Sequence, residues 1–122
     1  MWNGSVYDKM TDCEKLVADY LKQLNLTWKF EYPVFLYDER KRPRVWTPDF
    51  YLTDLGVYIE VCGSSEFDYE YRKKIYEKNN VDVIYLHMFK EQSQWQNHFH
   101  KRLHELVKDR LHQLEILAQI AT

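Results

Sequence analysis

Residues 47–62, TPDFYLTDLGVYIEVC, decide how the centre of this chain folds. Two runs of alternating apolar and polar residues flank the turn-forming sequence Thr53-Asp54-Leu55-Gly56. Alternation with a period of two is typical of a strand with one buried face, and Asp and Gly favour tight turns. The stretch therefore predicts an antiparallel hairpin with strands over residues 44–52 and 57–62.

The predicted hairpin places two carboxylates side by side. If Asp54 and Leu55 form a two-residue loop, counting back along both strands brings Asp49 opposite Glu60. A three-residue loop with a bulge would shift the register by one residue, and the two acids would still be neighbours. We therefore expect Asp49 and Glu60 to share one face of the sheet.

Hydrophobic spacing on either side of the hairpin predicts the remaining elements. Thr11 and Glu14 stand in capping-box relation and mark the start of the first helix, while Pro33 makes the following strand irregular or edge-like. The predicted elements are helix 11–25, strand 27–36, a charged turn at 37–43, strands 44–52 and 57–62, helix 66–79, strand 81–88 and helix 93–120. The class is α/β, with an α-β-β-β-α-β core over residues 1–92. Residues 93–122 form a helical extension, either of the same domain or for dimerisation.

Adjacent carboxylates repel each other, and a bound divalent cation is the usual remedy in a protein interior. Mg²⁺ prefers oxygen ligands and keeps several waters, so two or three protein carboxylates and a substrate phosphate complete its shell. Such an ion ionises an attacking water and stabilises charge on a phosphoryl oxygen. The alternative is an exposed hairpin face that carries two solvated acids.

The pattern Pro48-Asp49 in one strand, followed after a short turn by Glu60 in the next, closely resembles the PD-(D/E)XK nuclease superfamily. The resemblance covers roughly residues 11–88, because that superfamily's core has the same order of elements. The lead-in Glu31-Tyr32-Pro33-Val34 and the basic turn after it look like those of transposon-end nucleases. The resemblance implies a restriction-endonuclease-like fold with a mixed sheet, and Mg²⁺ or Mn²⁺ bound by Asp49 and Glu60.

One part of the family motif is missing, because Cys62 occupies the position where the family has a lysine. That lysine orients the attacking water and offsets charge in the transition state, which a thiol cannot do. Within such families the lysine is sometimes supplied from the following helix, so Lys73 and Lys74 are the candidate replacements. A basic, solvent-facing helix is the alternative interpretation of these lysines.

Glu14 is the third acid of the predicted site. Many nucleases of this superfamily carry a glutamate on the first helix that reaches the metal or its waters, so the resemblance makes Glu14 a candidate metal ligand. Its place in the capping box with Thr11 is a complete structural explanation by itself. Both roles remain open from the sequence.

The charge distribution predicts local contacts with DNA rather than general polyanion binding. The formal net charge is −2 and the isoelectric point is near 6.2, which excludes a strongly basic protein. Cations are concentrated in two short stretches, and we expect the phosphate backbone to be held by Arg40, Lys41, Arg42, Arg44 and Arg72. A solvated turn and a solvated helix face are the alternative.

The leucine-rich stripe of the last predicted helix suggests assembly. A helix of about 28 residues spans roughly 40 Å, longer than the core of so small a domain covers. We expect a homodimer through this helix, with a break near Asn97 as the alternative.

Together these patterns predict a Mg²⁺-dependent DNA endonuclease, acting on junction or branched DNA or related to transposon or viral enzymes. The alternatives are a catalytically inactive nuclease-like subunit for DNA binding or assembly, and a purely structural helical dimer. Without a membrane-spanning run, a secretory signal or metal-ligand spacing of its two cysteines, we expect the protein to be cytoplasmic.

Overall fold

The structure, a computed structural model, describes residues 5–63, 69–88 and 92–121, without the side chains of residues 92 and 93. The α/β class and the long C-terminal helix predicted from the sequence are confirmed. In chain order, the elements are a 3₁₀ turn Val6–Lys9, α1 Asp12–Gln23, β1 Trp28–Phe30, β2 Val34–Tyr37, β3 Pro43–Trp46, β4 Phe50–Leu52, β5 Val57–Cys62, α2 Tyr69–Lys78, β6 Val83–His87 and α3 Gln92–Ala121.

Four strands form a sheet in the order β1-β4-β5-β6, and the sheet is mixed, as the resemblance implied. The pairs β1/β4 and β4/β5 are antiparallel, whereas β5 and β6 are parallel and connected through α2. Strands β2 and β3 form a separate antiparallel hairpin, in which Phe35 pairs with Val45.

The prediction of two long strands before the turn is wrong, because each divides into two. Residues 27–36 contain β1 and β2, and residues 44–52 contain β3 and β4. Glu31 adopts a left-handed backbone with φ 53°, and its amide donates to the Asp49 carbonyl at 2.8 Å. Pro33 and Pro48 lack the N–H group that a continuous ladder needs. Both segments of the chain therefore leave the main sheet where Glu31 meets Asp49, and they form the β2–β3 hairpin.

Each face of the main sheet is covered by its own hydrophobic cluster. Helices α1 and α3 cover the first face, where the buried side chains include Val17, Leu21, Phe50, Leu52, Ile59, Ile84 and Phe99. Helix α2 and the β2–β3 hairpin cover the second face, through Leu36, Ile75, Tyr76 and Val83. Because side chains alternate along a strand, the even-numbered residues of β5, Tyr58, Glu60 and Cys62, face α2.

The capping box predicted at the first helix is confirmed. The Thr11 amide donates to Glu14 Oε1 at 2.8 Å, and the Glu14 amide donates to Thr11 Oγ1 at 3.2 Å. Helix α1 ends two residues earlier than predicted, and Asn25 follows it with φ 58°, a conformation that asparagine tolerates. The predicted start of the second helix at Glu66 lies outside the described residues.

The register of the β4–β5 hairpin is confirmed, but its turn is longer than a two-residue loop. Leu52 pairs with Val57 and Phe50 with Ile59, so residues 53–56 form a four-residue connection. The Gly56 amide donates to the Leu52 carbonyl at 2.8 Å, and Gly56 has φ 65°. The turn closes without a bulge, which preserves the parity predicted for Asp49 and Glu60.

Helix α3 is continuous over 30 residues, so the predicted alternative of a break near Asn97 is wrong. Its first half packs into the core through Trp95 and Phe99. Arg110 anchors it further along, since Nη2 donates to the Gly56 carbonyl at 2.9 Å and to Asp82 Oδ2 at 2.7 Å. Residues 111–121 are exposed. In the part of the chain that is described, no helix has the length and apolarity needed to cross a membrane.

Replacing Gly56 by alanine should destabilise the protein by about 1–2 kcal/mol, because φ 65° is unfavourable for any residue with a Cβ atom. The added Cβ would also lie 3.2 Å from Arg110 Nη1 and disturb the anchor of α3. Urea denaturation measures the change. Gly63→Ala is the matched control, since a Cβ there meets nothing within 4 Å. A Gly56→Ala protein as stable as the wild type would contradict this account of the turn.

Candidate active site

Glu60 lies on β5, and Asp49 directly precedes the neighbouring strand β4, one residue outside the strand in which the sequence placed it. Continuing the observed register by one pair beyond Phe50 and Ile59 places Asp49 opposite Glu60. Asp49 is partly buried, and its Oδ2 accepts a 2.7 Å hydrogen bond from the Val61 amide. Glu60 is 5 % exposed. Two carboxyl groups are therefore held close together where little water reaches them.

Burial and neighbouring charges make the ionised form of Asp49 unfavourable. Burial raises the pKa of Asp49 from 3.8 to about 7; the hydrogen bond from Val61 opposes this rise, and the charges of Glu60 and Glu14 add to it. The pKa of Glu60 is also raised by burial, which the Arg72 guanidinium opposes. Burial and the charges of Glu60 and Glu14 therefore all favour the protonated form of Asp49.

Glu14 fills the capping role that the sequence predicted, and its side chain also lies beside Asp49. It caps α1 through Thr11, and its buried side chain lies close enough to Asp49 to raise the pKa of that group. The capping box explains the direction of the side chain, because it turns the Glu14 carboxylate back toward the start of α1. The start of α1 and the end of β5 thus meet at one rim of the sheet.

The cation that reaches the acid pair is Arg72, which the sequence assigned to DNA contacts. Arg72 Nη1 donates to Glu60 Oε2 at 2.6 Å, and its guanidinium lies 5.4 Å from the centre of the Trp46 ring. Glu60 Oε1 is buried close to the Tyr76 hydroxyl, but the two form no hydrogen bond of ordinary geometry. Oε2 of Glu60 is thus paired with Arg72, whereas Oε1 lies near the Tyr76 hydroxyl without a hydrogen bond.

The two lysines proposed to replace the motif lysine are both exposed on α2. Lys73 lines a cavity of about 600 Å³ between α2 and α3, together with Tyr69 and Trp95. The α2 side chain that contacts Glu60 is Arg72, one residue earlier. Helix α2 therefore places a cation beside Glu60, but that cation is Arg72 rather than Lys73 or Lys74.

Cys62 lies at the end of β5, where the sequence placed it, and its thiol is unreactive. The thiol is buried, and its Sγ donates a 3.7 Å hydrogen bond to the Glu60 carbonyl. Burial raises the pKa of Cys62 to about 12, so the group stays a neutral thiol. It supplies neither a positive charge nor a thiolate nucleophile.

The described residues meet only the smaller of the ligand sets that divalent metals use in proteins. In the described ranges no group of three or more His, Cys, Asp or Glu side chains is arranged to hold a metal ion. Mg²⁺ is usually held by one or two carboxylates plus substrate phosphates. The pair Asp49 and Glu60, with the unsatisfied Glu60 Oε1, fits that smaller requirement.

The predicted phosphate-binding residues Arg40, Lys41, Arg42 and Arg44 surround the turn of the β2–β3 hairpin. Their organising residue is Asp38, which sequence reasoning missed. Asp38 Oδ1 accepts from the amides of Arg40 and Arg42, both at 2.9 Å, and Oδ2 accepts from Nε of Arg42 at 3.0 Å and of Arg44 at 3.1 Å. An aspartate that begins a run of arginines was the signal available in the sequence.

Comparison with known proteins found no matching family model, no matching curated protein and no matching solved structure. The resemblance to PD-(D/E)XK nucleases therefore rests on the motif and the order of elements.

Asp49→Asn should remove a pH dependence of stability while keeping an acceptor for the Val61 amide. Between about pH 4 and pH 7 the folded carboxyl holds a proton that the unfolded chain has released, so wild-type stability falls as the pH rises. At about pH 8 without metal, we expect the variant to be more stable by about 1–3 kcal/mol. Urea denaturation across this range is the measurement.

Asp54→Asn in the exposed turn of the same hairpin is the control, and it should leave the slope unchanged. An Asp49→Asn protein that is less stable than the wild type at alkaline pH would show that the carboxylate is stabilising, against this prediction.

Proposed function

We propose that the protein is a nuclease that hydrolyses DNA phosphodiester bonds with Mg²⁺ or Mn²⁺, on a restriction-endonuclease-like fold. The observation that supports this most is the pair of neighbouring acids Asp49 and Glu60, where burial raises the pKa of Asp49 and the charges of Glu60 and Glu14 raise it further. A folded protein that keeps such a pair gains stability when a cation binds to it.

Glu60 Oε1 and the Asp49 carboxylate are the atoms that would hold the ion. Val61 engages Oδ2 of Asp49 and Arg72 engages Oε2 of Glu60, whereas Glu60 Oε1 has no hydrogen-bond partner among the described residues and Asp49 also interacts with Glu14. Glu14 lies at the same rim and assists through the surrounding waters. When bound, the ion supplies a more acidic water and charge stabilisation at the phosphoryl oxygen.

Arg72 takes the part that the missing lysine plays in the family motif. Glu60 and Trp46 hold its guanidinium beside the acid pair, so a positive charge is already in place for a phosphate that approaches. Arg40, Lys41, Arg42 and Arg44 bind the flanking phosphates, and DNA shape, at a junction or branch, supplies the specificity. The free thiols of Cys13 and Cys62 fit a reducing, cytoplasmic location.

A second candidate is a catalytically inactive, nuclease-like subunit that binds DNA or supports assembly. The ion pair between Arg72 and Glu60 favours it, because a guanidinium at 2.6 Å already offsets the charge of Glu60. The neutral Cys62 in the motif position is consistent with the same candidate.

Cleavage of plasmid or branched DNA should require Mg²⁺ or Mn²⁺ and should stop in EDTA. Asp49→Asn and Glu60→Gln should each lower turnover by at least about 100-fold, since a metal centre contributes several kcal/mol to transition-state stabilisation. Gel assays of cleavage rate measure this. Arg72→Met should also lose turnover and Arg72→Lys should keep part of it, whereas Lys74→Ala, exposed on the same helix, is the matched control.

Metal binding separates the two candidates without relying on activity. In a nuclease, Mn²⁺ should raise the wild-type unfolding midpoint in proportion to RT ln(1 + [Mn²⁺]/Kd) and should leave Asp49→Asn unaffected. In an inactive subunit that neutralises Glu60 with Arg72, Mn²⁺ should leave the wild-type unfolding midpoint unchanged. Full cleavage activity in EDTA would contradict the proposed mechanism directly.

We further propose that the end of α3 forms a homodimer. The helix runs about 45 Å, and its side chains beyond the Arg110 anchor leave an apolar surface made of Leu111, Leu114, Ile116, Leu117 and Ile120. This surface continues the stripe of Leu103 and Leu106 that packs into the core. A second copy presents the same stripe, so the two can pack against each other.

Full-length protein at micromolar concentration should sediment as a dimer, and the double change Leu114→Glu and Leu117→Glu should convert it to a monomer. Burial of each leucine contributes about 1.5–3 kcal/mol, and a glutamate cannot be buried there unpaired. The matched control is Leu16→Glu, an exposed apolar position on α1. A monomeric wild type would refute the dimer, and with it a purely structural role for the helix.

A further inference from the structure

The β2–β3 hairpin carries apolar residues on both of its faces. Its inner face packs against α2 through Leu36 and Trp46. Its outer face exposes Phe35 at 79 %, Tyr37 at 61 % and Val45 at 55 %. Phe35 pairs with Val45 across the strands, so these side chains form one continuous surface rather than scattered positions. Phe35 and Val45 also line a shallow depression of about 340 Å³.

Cations border this aromatic surface. Arg40 and Lys41 are exposed in the hairpin turn, and neither takes part in an ion pair within the described residues. Arg42 and Arg44 are held by Asp38, whose pKa is lowered to about 2, first by the hydrogen bond from the Arg42 amide. Asp38 therefore stays ionised and fixes the arrangement of the turn. The hairpin as a whole carries four cations and two acids, in a chain whose net charge is negative.

Exposed rings beside exposed cations match the chemistry of unpaired nucleotides. Aromatic side chains stack on any base that is free of a partner, and the neighbouring cations bind its phosphates. Bases in an intact duplex are stacked on each other and do not offer their faces. Lys41 favours nucleic acid over a protein partner, because lysine is depleted from protein interfaces and binds phosphates readily.

We propose that the outer face of the β2–β3 hairpin binds single-stranded nucleic acid, with unpaired bases stacked on Phe35 and Tyr37 and phosphates held by Arg40 and Lys41. The hairpin is linked to the acid pair through Trp46, whose ring contacts the Arg72 guanidinium that binds Glu60. The biological meaning of this inference rests on the proposed nuclease function. In that function, the hairpin would bind the single-stranded part of a branched substrate. The binding itself requires neither metal nor cleavage.

The test is fluorescence anisotropy of the full chain with a labelled single strand of about 12 nucleotides, and with a duplex of the same length. EDTA is present throughout, so cleavage cannot interfere. The single strand should bind more tightly than the duplex. Phe35→Ala should weaken single-strand binding by about 5- to 100-fold, which corresponds to the loss of about one stacked base. Phe35→Trp should restore it, whereas Phe35→Leu, apolar but not aromatic, should not.

Leu16→Ala on α1 is the matched control, because it removes an exposed apolar side chain far from the hairpin in sequence. Lys41→Ala should weaken binding to both DNA forms and reduce the dependence on salt. Equal or tighter duplex binding, or a Phe35→Leu protein that binds like the wild type, would overturn the proposal. So would a sedimentation shift in Phe35→Ala, which would identify the surface as a contact between copies.

These outcomes are distinguishable from those of the nuclease test. Single-strand binding that depends on Phe35, in a protein that never cleaves DNA, would end the proposed enzyme and keep this inference. Metal-dependent cleavage that requires Asp49 but is unchanged by Phe35→Ala, together with unaffected single-strand binding, would keep the enzyme and end this inference.

Discussion

The hydrogen bond from the Val61 amide to Asp49 Oδ2 holds one carboxylate beside another in a region that excludes most water. Because the Asp49 carbonyl also accepts from the Glu31 amide, this residue is tied by main-chain groups to the strands on either side of it. The position costs free energy, since burial and two neighbouring acids oppose ionisation. Arg72 offsets the negative charge of Glu60 through an ion pair, and the start of α1 places Glu14 beside the two acids.

The sequence predicted those features that depend on local pattern. The parity of Asp49 and Glu60 follows from strand alternation and a short turn, and the capping box of Glu14 follows from residues three apart. Both are confirmed. The length of the final helix also follows from local sequence, because residues 92–121 contain no glycine or proline.

The features that the sequence did not reveal depend on long-range packing. Glu31 and Asp49 are distant in the chain, and their meeting is what divides each predicted strand in two. The choice of Arg72 over its neighbours Lys73 and Lys74 is set by how Ile75 and Tyr76 pack α2 onto the sheet, an angle that helical spacing alone does not fix. The role of Asp38 depends on the folded hairpin, in which two amides and two guanidinium groups donate to its carboxylate.

Because the amide that holds Asp49 belongs to the main chain, any residue except proline at position 61 supplies the same donor. The same is true of the amide at position 31. The placement of the carboxylate is therefore insensitive to most side-chain changes around it, provided that the strand register persists. Over long divergence, the residues around the acid pair can therefore change widely while the pair keeps its geometry.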